Sequence, residues 1–127
     1  MGHPTPQELV AGYVAAYNAF DLEGMAFLLS DDIRFENYSG GALTASSDGL
    51  QAFRQLAEQS KALFSQREQR VTGWTFGEDT VAVDIDYFGT LAQDIPGGPA
   101  AGTVLALTGR SEFTIADGKI TRITDRS

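Results

Sequence analysis

The spacing of apolar residues changes once along this chain, and that change constrains its fold more than any other feature. Before about Arg67, apolar side chains recur every three or four residues, as on one face of a helix. After it they alternate with polar residues, as along a strand. Helices followed by long strands predict an α+β fold in which segregated helices cover one face of a sheet. With 127 residues the chain suffices for one core and not for two, so we predict a single domain spanning 1–127.

Capping residues mark the starts of three predicted helices. Thr5, with Glu8 three residues later, forms a capping-box pattern for the first. Asp21 can cap a short second helix that ends near Leu29. Ser47 can cap a third within the segment DGLQAFRQLAEQSKALFSQ, whose apolar residues recur at helical spacing.

The predicted strands are bounded by turn-forming residues. Four segments alternate in polarity, and an earlier short strand contains Ile33 and Phe35. The small-residue stretch 39–47 is predicted to be a loop, and the Gly/Pro stretch 94–102 to be a long hairpin connection. The four alternating segments are 68–76, 80–92, 103–116 and 119–125.

A polar amide follows two apolar residues on one face of the early strand. Because side chains alternate along a strand, Ile33, Phe35 and Asn37 share a side. Such an amide either is satisfied within the fold, at the backbone where the strand ends, or contacts something in a pocket. Asn cannot take up a proton, so Asn37 would anchor a ligand by hydrogen bonds and would not act as a general base.

Composition removes several classes of chemistry. The chain has no cysteine, which excludes disulfides and thiolate sites, and His3 is its single histidine, which removes catalytic triads and disfavours a zinc site. The net charge of −8 predicts no nucleic-acid or anionic-membrane partner. With no Lys or Arg before Arg34 and no run of ~20 apolar residues, we expect a cytoplasmic protein without a signal peptide or membrane span.

The segment YVAAYNAFDLEGMAFLLSDDIRFEN resembles the opening of ketosteroid isomerases and, more broadly, the nuclear transport factor 2-like superfamily. The segments DTVAVDIDYFGTL, PGGPAAGTVLALTGRSEFTI and DGKITRI resemble its SnoaL-like branch, which includes polyketide cyclases. This resemblance implies a cystatin-like curved antiparallel sheet that wraps around N-terminal helices to form a cone with an apolar pocket. It also implies a homodimer formed through the outer face of the sheet. Since one fold hosts many functions, it does not name a reaction.

The catalytic residues of related enzymes carry over only in part. Tyr13 falls where ketosteroid isomerases place an oxyanion-donating Tyr, but Asn37 falls where they place the carboxylate base. Ser111 best matches the position of their second, protonated acid. Limonene epoxide hydrolase-like enzymes use a Tyr and an Asn on the first strand, and here Phe35 replaces that Tyr. The resemblance therefore argues against steroid isomerisation and epoxide hydrolysis by the known machineries.

Polyketide cyclases use an acidic pocket residue, for which Asp86, Glu112 and Asp125 near the C-terminus are candidates. Alternation turns Asp86 and Glu112 away from the inferred pocket face. Tyr13 has two interpretations, a pocket donor or a core aromatic residue. The predicted pocket walls are Tyr17, Phe35, Phe53, Trp74, Tyr87, Ser111 and Phe113.

The leading hypothesis is a pocket that binds a small apolar organic molecule, with Tyr13, Asn37 and Asp125 as catalytic candidates. Any reaction would be of isomerase, cyclase or hydratase type, without cofactor or metal. The rival hypothesis is a non-catalytic dimeric module for ligand binding or protein interaction. A cavity below ~300 Å³ with no titratable group in its wall would favour the module.

Overall fold

The computed structural model describes residues 4–127, which form three helices and six strands. The elements in chain order are α1 (Pro6–Asn18), α2 (Leu22–Phe27), β1 (Leu29–Ser39), β2 (Ala42–Asp48), α3 (Leu50–Leu63), β3 (Phe64–Phe76), β4 (Thr80–Leu91), β5 (Val104–Ala116) and β6 (Lys119–Arg126). His3 lies outside the described residues. Within residues 4–127, no helix is both long and apolar enough to cross a membrane.

The first two helices begin where their capping residues predict. The Thr5 side chain accepts a hydrogen bond from the Glu8 backbone, and the Glu8 carboxylate accepts one from the Thr5 backbone. The Asp21 carboxylate accepts one from the backbone of Gly24 at the start of α2. These side chains satisfy backbone groups at the starts of α1 and α2 that have no partner within the helix.

The six strands form one curved sheet in the order β2-β1-β6-β5-β4-β3. Neighbouring strands run antiparallel except β1 and β6, which are parallel because the chain passes through β2, α3 and three further strands between them. Register shifts interrupt β1 after Asn37, β3 after Val71 and β5 after Thr114. Such bulges bend a sheet, and here the bent sheet encloses the helices, which confirms the predicted α+β fold.

The core lies between the concave face of the sheet and α1. Phe113 and Ile123 are at most 1% exposed, and Val81 and Val83 are fully buried beside them. Leu9, Val10 and Tyr13 of α1 belong to the same cluster. The alternation predicted for β4 and β5 is confirmed, since the buried residues are those on the predicted inner face.

Two local predictions are wrong. The predicted loop 39–47 contains most of strand β2, which pairs with β1 through a turn at Gly40 and Gly41, both with positive φ. Small polar residues suit a loop and an edge strand equally, so composition does not separate the two. Ser47 does not cap α3: it lies opposite Phe35 in the β1–β2 pair, and α3 follows Gly49 without a side-chain cap.

Candidate functional site

A cavity of about 370 Å³ lies between α1, α3 and the concave face of the sheet. An adjoining cavity of about 290 Å³ shares Tyr17, Asn37, Gln69 and Asp125 with it and extends toward β5. The sequence-predicted residues that line the first cavity are Tyr13, Tyr17, Phe35, Asn37, Phe53 and Asp125.

Asn37, Asp125 and Ser111 form one row across three neighbouring strands. Asn37 pairs with Asp125 between β1 and β6, and Asp125 pairs with Ser111 between β6 and β5. The Ser111 hydroxyl donates a hydrogen bond of 2.6 Å to the Asp125 carboxylate. The three predicted residues, distant in sequence, are therefore brought together on the inner face.

Asp125 is a carboxyl without a cationic partner among residues 4–127. Burial raises its pKa to about 6, and the hydrogen bond from Ser111 partly opposes that rise. A carboxyl with a pKa in this range can accept a proton and return it near neutral pH. The geometry and the protonation equilibrium of Asp125 thus suit acid–base chemistry.

Tyr13 brings a hydroxyl to the same cavity. Its ring is 5% exposed and packs edge-to-face against Phe113 at 5.7 Å between centroids. No hydrogen bond joins its hydroxyl to any other group in residues 4–127. Burial raises the pKa of Tyr13, the negative charge of Asp125 raises it further, and the Arg67 cation opposes both. The phenol therefore stays protonated and can donate to a ligand.

Asn37 combines features of both sequence interpretations. Its amide nitrogen donates to the Thr44 hydroxyl at 2.8 Å, and that hydroxyl donates to the Asn37 backbone carbonyl at 3.1 Å. The amide thus ties β1 to β2 while the side chain lines both cavities. Its side-chain oxygen accepts no hydrogen bond within the described part of the chain.

Aromatic residues close the sides of the two cavities. Phe35 and Phe53 pack edge-to-face at 5.9 Å and join β1 to α3. The Tyr17 hydroxyl donates to that of Tyr87 at 3.2 Å, and Tyr87 and Ser111 line the adjoining cavity.

Two predicted wall residues line neither cavity, which corrects their placement. Phe113 lies in the core beneath Tyr13, where it fills the space between sheet and helix. Trp74 stacks on Phe76 at 5.8 Å near the end of β3 that leads into β4. Both side chains lie on the concave side of the sheet, but the cavities occupy a different part of it.

Arg67 lines the cavity and was missed by the sequence analysis. It is only 7% exposed, and its guanidinium lies 3.7 Å from the centroid of the Tyr17 ring. Its Nε donates to the Tyr17 backbone carbonyl at 3.1 Å. The predicted strand began only at residue 68, so Arg67 was not assigned to either face of the sheet. Residues 4–127 contain no group of three His, Cys, Asp or Glu side chains that could hold a metal ion.

Residues 10–123 match the family model of the SnoaL-like domain. The chain belongs to the SnoaL-like domain family. No curated protein sequence matches it.

Solved structures resemble this SnoaL-like chain over nearly its full length. A proposed polyketide cyclase from Xanthomonas campestris pv. campestris has a TM-score of 0.84 at 23% identity, over 95% of this chain and 88% of that one. A proposed polyketide cyclase from Pseudomonas putida has a TM-score of 0.75 at 27% identity, over 93% and 87%. A hypothetical protein with a ketosteroid isomerase-like fold from Catenulispora acidiphila has a TM-score of 0.77 at 20% identity, over 96% and 85%. The family match confirms the predicted SnoaL-like branch, and the structural likenesses confirm the predicted cystatin-like fold.

Proposed function

We propose that this SnoaL-like protein binds a small, largely apolar organic molecule and catalyses a cofactor-free proton transfer of isomerase or cyclase type. The single observation that carries the proposal is that Asp125 and Tyr13 line one cavity. Among residues 4–127 the Asp125 carboxyl has no cationic partner and the Tyr13 phenol has no hydrogen-bond partner. Family membership and the likeness to a proposed polyketide cyclase at 27% identity support it.

The size of the cavity favours a pocket over a packed interaction module. Its volume of about 370 Å³ exceeds the ~300 Å³ at the lower end of small-molecule sites. Its wall also holds titratable groups, Asp125 and Arg67 among them. Both properties are opposite to those expected of an interaction module with a packed interior, and the exchange experiment below separates catalysis from ligand binding alone.

In the proposed mechanism Asp125 is the general base, because Asn37 stands where ketosteroid isomerases have their carboxylate base. The Asp125 carboxylate takes a proton from a carbon next to a substrate carbonyl, and the C–H electron pair moves onto the carbonyl oxygen as an enolate. Tyr13 donates a hydrogen bond to that oxygen as its negative charge develops. The protonated Asp125 then returns the proton to another carbon of the enolate. Alternatively, the enolate carbon attacks a second carbonyl of the substrate and closes a ring, and the alkoxide that forms takes the proton from Asp125. Asn37 holds the substrate through its free amide oxygen.

Other acidic groups are less suited to this role. Glu112 forms an ion pair with Arg126 at 3.0 Å on the outer face of the sheet. Asp84 pairs with Arg110 at 3.3 Å on the same face. Of these three carboxylates, only Asp125 lines the cavity that Tyr13 also lines.

Hydrogen–deuterium exchange of a ketone tests the proposal without knowledge of the natural substrate. We expect the protein to accelerate exchange of the α-protons of small aryl ketones such as 2-tetralone in D₂O, followed by NMR. Because general-base catalysis contributes ~10²–10⁴-fold, Asp125→Asn should reduce the acceleration by about that factor. The outer-face variant Asp84→Asn is the matched control and should exchange at the wild-type rate.

A wild-type protein that binds these ketones but does not accelerate exchange would contradict catalysis and favour a binding protein. The homodimer remains a prediction, to be measured by light scattering, and so does the cytoplasmic location.

A further inference from the structure

Arg67 differs from every other arginine that the structure describes. The others each form an ion pair with an Asp or Glu side chain at the protein surface or on the outer face of the sheet. Arg67 has no carboxylate partner within residues 4–127, although the sequence holds 17 acidic residues and nine basic ones. It is also the most buried of these arginines, with 7% of its surface exposed.

The contacts of Arg67 satisfy only part of its guanidinium. Nε donates to the Tyr17 carbonyl, and the planar face of the group lies against Tyr17 at 3.7 Å and Phe20 at 4.5 Å. These cation–π contacts use the face of the guanidinium and leave the N–H groups at its edge free. Neither Nη atom has a hydrogen-bond partner in the described chain. A buried cation with unused donors is unfavourable unless a partner supplies acceptors.

Arg67 lines the cavity, and its Nη atoms are not among the fully buried polar atoms of the described chain, so a ligand in the cavity can reach them. Two parallel N–H groups match the two oxygens of a carboxylate, which is the geometry that Arg recognises best. The chain carries a net charge of −8, so its overall field repels anions and a local cation is needed to hold one.

Resting on the function proposed above, we infer that the ligand is an organic acid whose carboxylate binds Arg67. Arg67 lies on β3 and Asp125 on β6, two strands separated by β4 and β5, and the two side chains do not pair. The carboxylate therefore lies at one side of the cavity, and the ketone lies beside Tyr13 and Asp125. The substrate class is a small keto acid with an apolar body between these two groups.

A pair of unreactive probes tests the inference by calorimetry. The anion 2-naphthoate and the neutral 2-naphthamide have the same shape and differ in charge. Because a hydrogen bond to a charged group is worth about tenfold or more in affinity, wild-type protein should prefer the acid by at least that factor. Arg67→Gln should abolish the preference, and Arg67→Lys, which keeps charge without the paired donors, should retain a smaller one.

Arg70→Gln is the matched control, because Arg70 lies three residues further along β3, pairs with Glu68 and is exposed. It should keep the wild-type preference. A crystal structure of wild-type protein with 2-naphthoate provides a measurement that needs no variant, and its carboxylate should contact the Nη atoms of Arg67.

Equal affinity of the two probes for wild-type protein would overturn the inference and leave the proposed function standing. A preference that survives in Arg67→Gln, or a carboxylate bound elsewhere in the crystal, would do the same. Failure of both probes to bind would contradict the small-molecule pocket itself.

Discussion

Charged side chains have different surroundings on the two faces of the sheet. On the outer face Arg110 lies 3.3 Å from Asp84, and Arg126 lies 3.0 Å from Glu112. On the inner face Asp125, the immediate neighbour of Arg126 in sequence, has a hydroxyl partner. Within residues 4–127, Asp125 has no cationic partner and Arg67, on the same face, has no anionic one. The charged side chains of the outer face form ion pairs or contact solvent. Asp125 and Arg67 on the inner face are buried without an oppositely charged partner in the described chain, so they are available to a ligand, as in a binding site.

The two faces should differ most in how much the loss of an aromatic ring lowers the free energy of unfolding. Phe113→Ala removes a ring that is 1% exposed and contacts Tyr13, and we expect a loss of about 3–5 kcal/mol in the free energy of unfolding. Phe88 lies on the outer face of the neighbouring strand, half-buried under Arg70 at 5.2 Å. Phe88→Ala should cost about 1 kcal/mol or less. Equal losses in guanidinium denaturation would mean that the core is not on the inner face alone.

The next largest effect is on the rate of ketone exchange and compares Tyr13, on the concave side of the sheet, with Tyr38, on its outer face. Tyr13→Phe removes the donor proposed to stabilise the enolate, so the rate of ketone exchange should fall by about 10²–10³-fold. Stability should change by less than about 1 kcal/mol, because the hydroxyl has no hydrogen-bond partner among residues 4–127. Tyr38, whose ring lies 4.9 Å from the Arg126 guanidinium on the outer face, provides the control Tyr38→Phe. If both variants kept the wild-type rate, Tyr13 would be a core residue only.

The fold could be predicted because its local signals agree with one another. The capping box at Thr5 and the alternation of Val81, Val83 and Ile85 each act over a few residues, and the structure follows both. Strand β2 could not be predicted, because residues 42–48 are small and polar and acquire their conformation by pairing with β1.

The position of Asp125 in the cavity could be proposed from the sequence, but the position of Arg67 could not. Val71 pairs with Ile85 and Gly73 with Asp84, so Thr72 is one extra residue on β3. Strict alternation counted back from Trp74 turns Arg67 outward, whereas the bulge at Thr72 reverses the faces and turns it inward. The extra residue Thr72 thus determines whether Arg67 lies at the surface or in the cavity. No local sequence pattern predicts the bulge at this residue.

The third effect is on the pH dependence of stability. Asp125 has a pKa of about 6 in the folded protein against an ordinary value of 3.8, so the folded state binds more protons between those values. The wild-type free energy of unfolding should therefore decrease as pH rises through this range, by at most about 3 kcal/mol. Asp125→Asn lacks that penalty and should be more stable than wild type at about pH 7.5, but not at about pH 4.

Guanidinium denaturation of both proteins at the two pH values measures this difference, with Asp84→Asn as the outer-face control. A stability gain of the same size at both pH values would show that titration of Asp125 is not its cause. A loss of stability at neutral pH would show that the carboxylate is favourably paired in the fold, contrary to its position in the structure.

The smallest effect is expected for the outer ion pairs themselves. Arg110 and Asp84 are directly opposite on β5 and β4, and both are partly solvent-exposed. A double-mutant cycle with Arg110→Gln and Asp84→Asn should give a coupling of ~0.2–1 kcal/mol that decreases with added salt, as for exposed pairs in general. A coupling of several kcal/mol would mean that this face is buried, as it would be in the predicted homodimer. A coupling that depends on protein concentration would indicate the dimer, whereas a constant one would indicate a strong pair within one chain. A small, salt-sensitive coupling would agree with a role for the outer pairs at the surface alone. The charges whose removal changes ligand binding and exchange would then be Asp125 and Arg67.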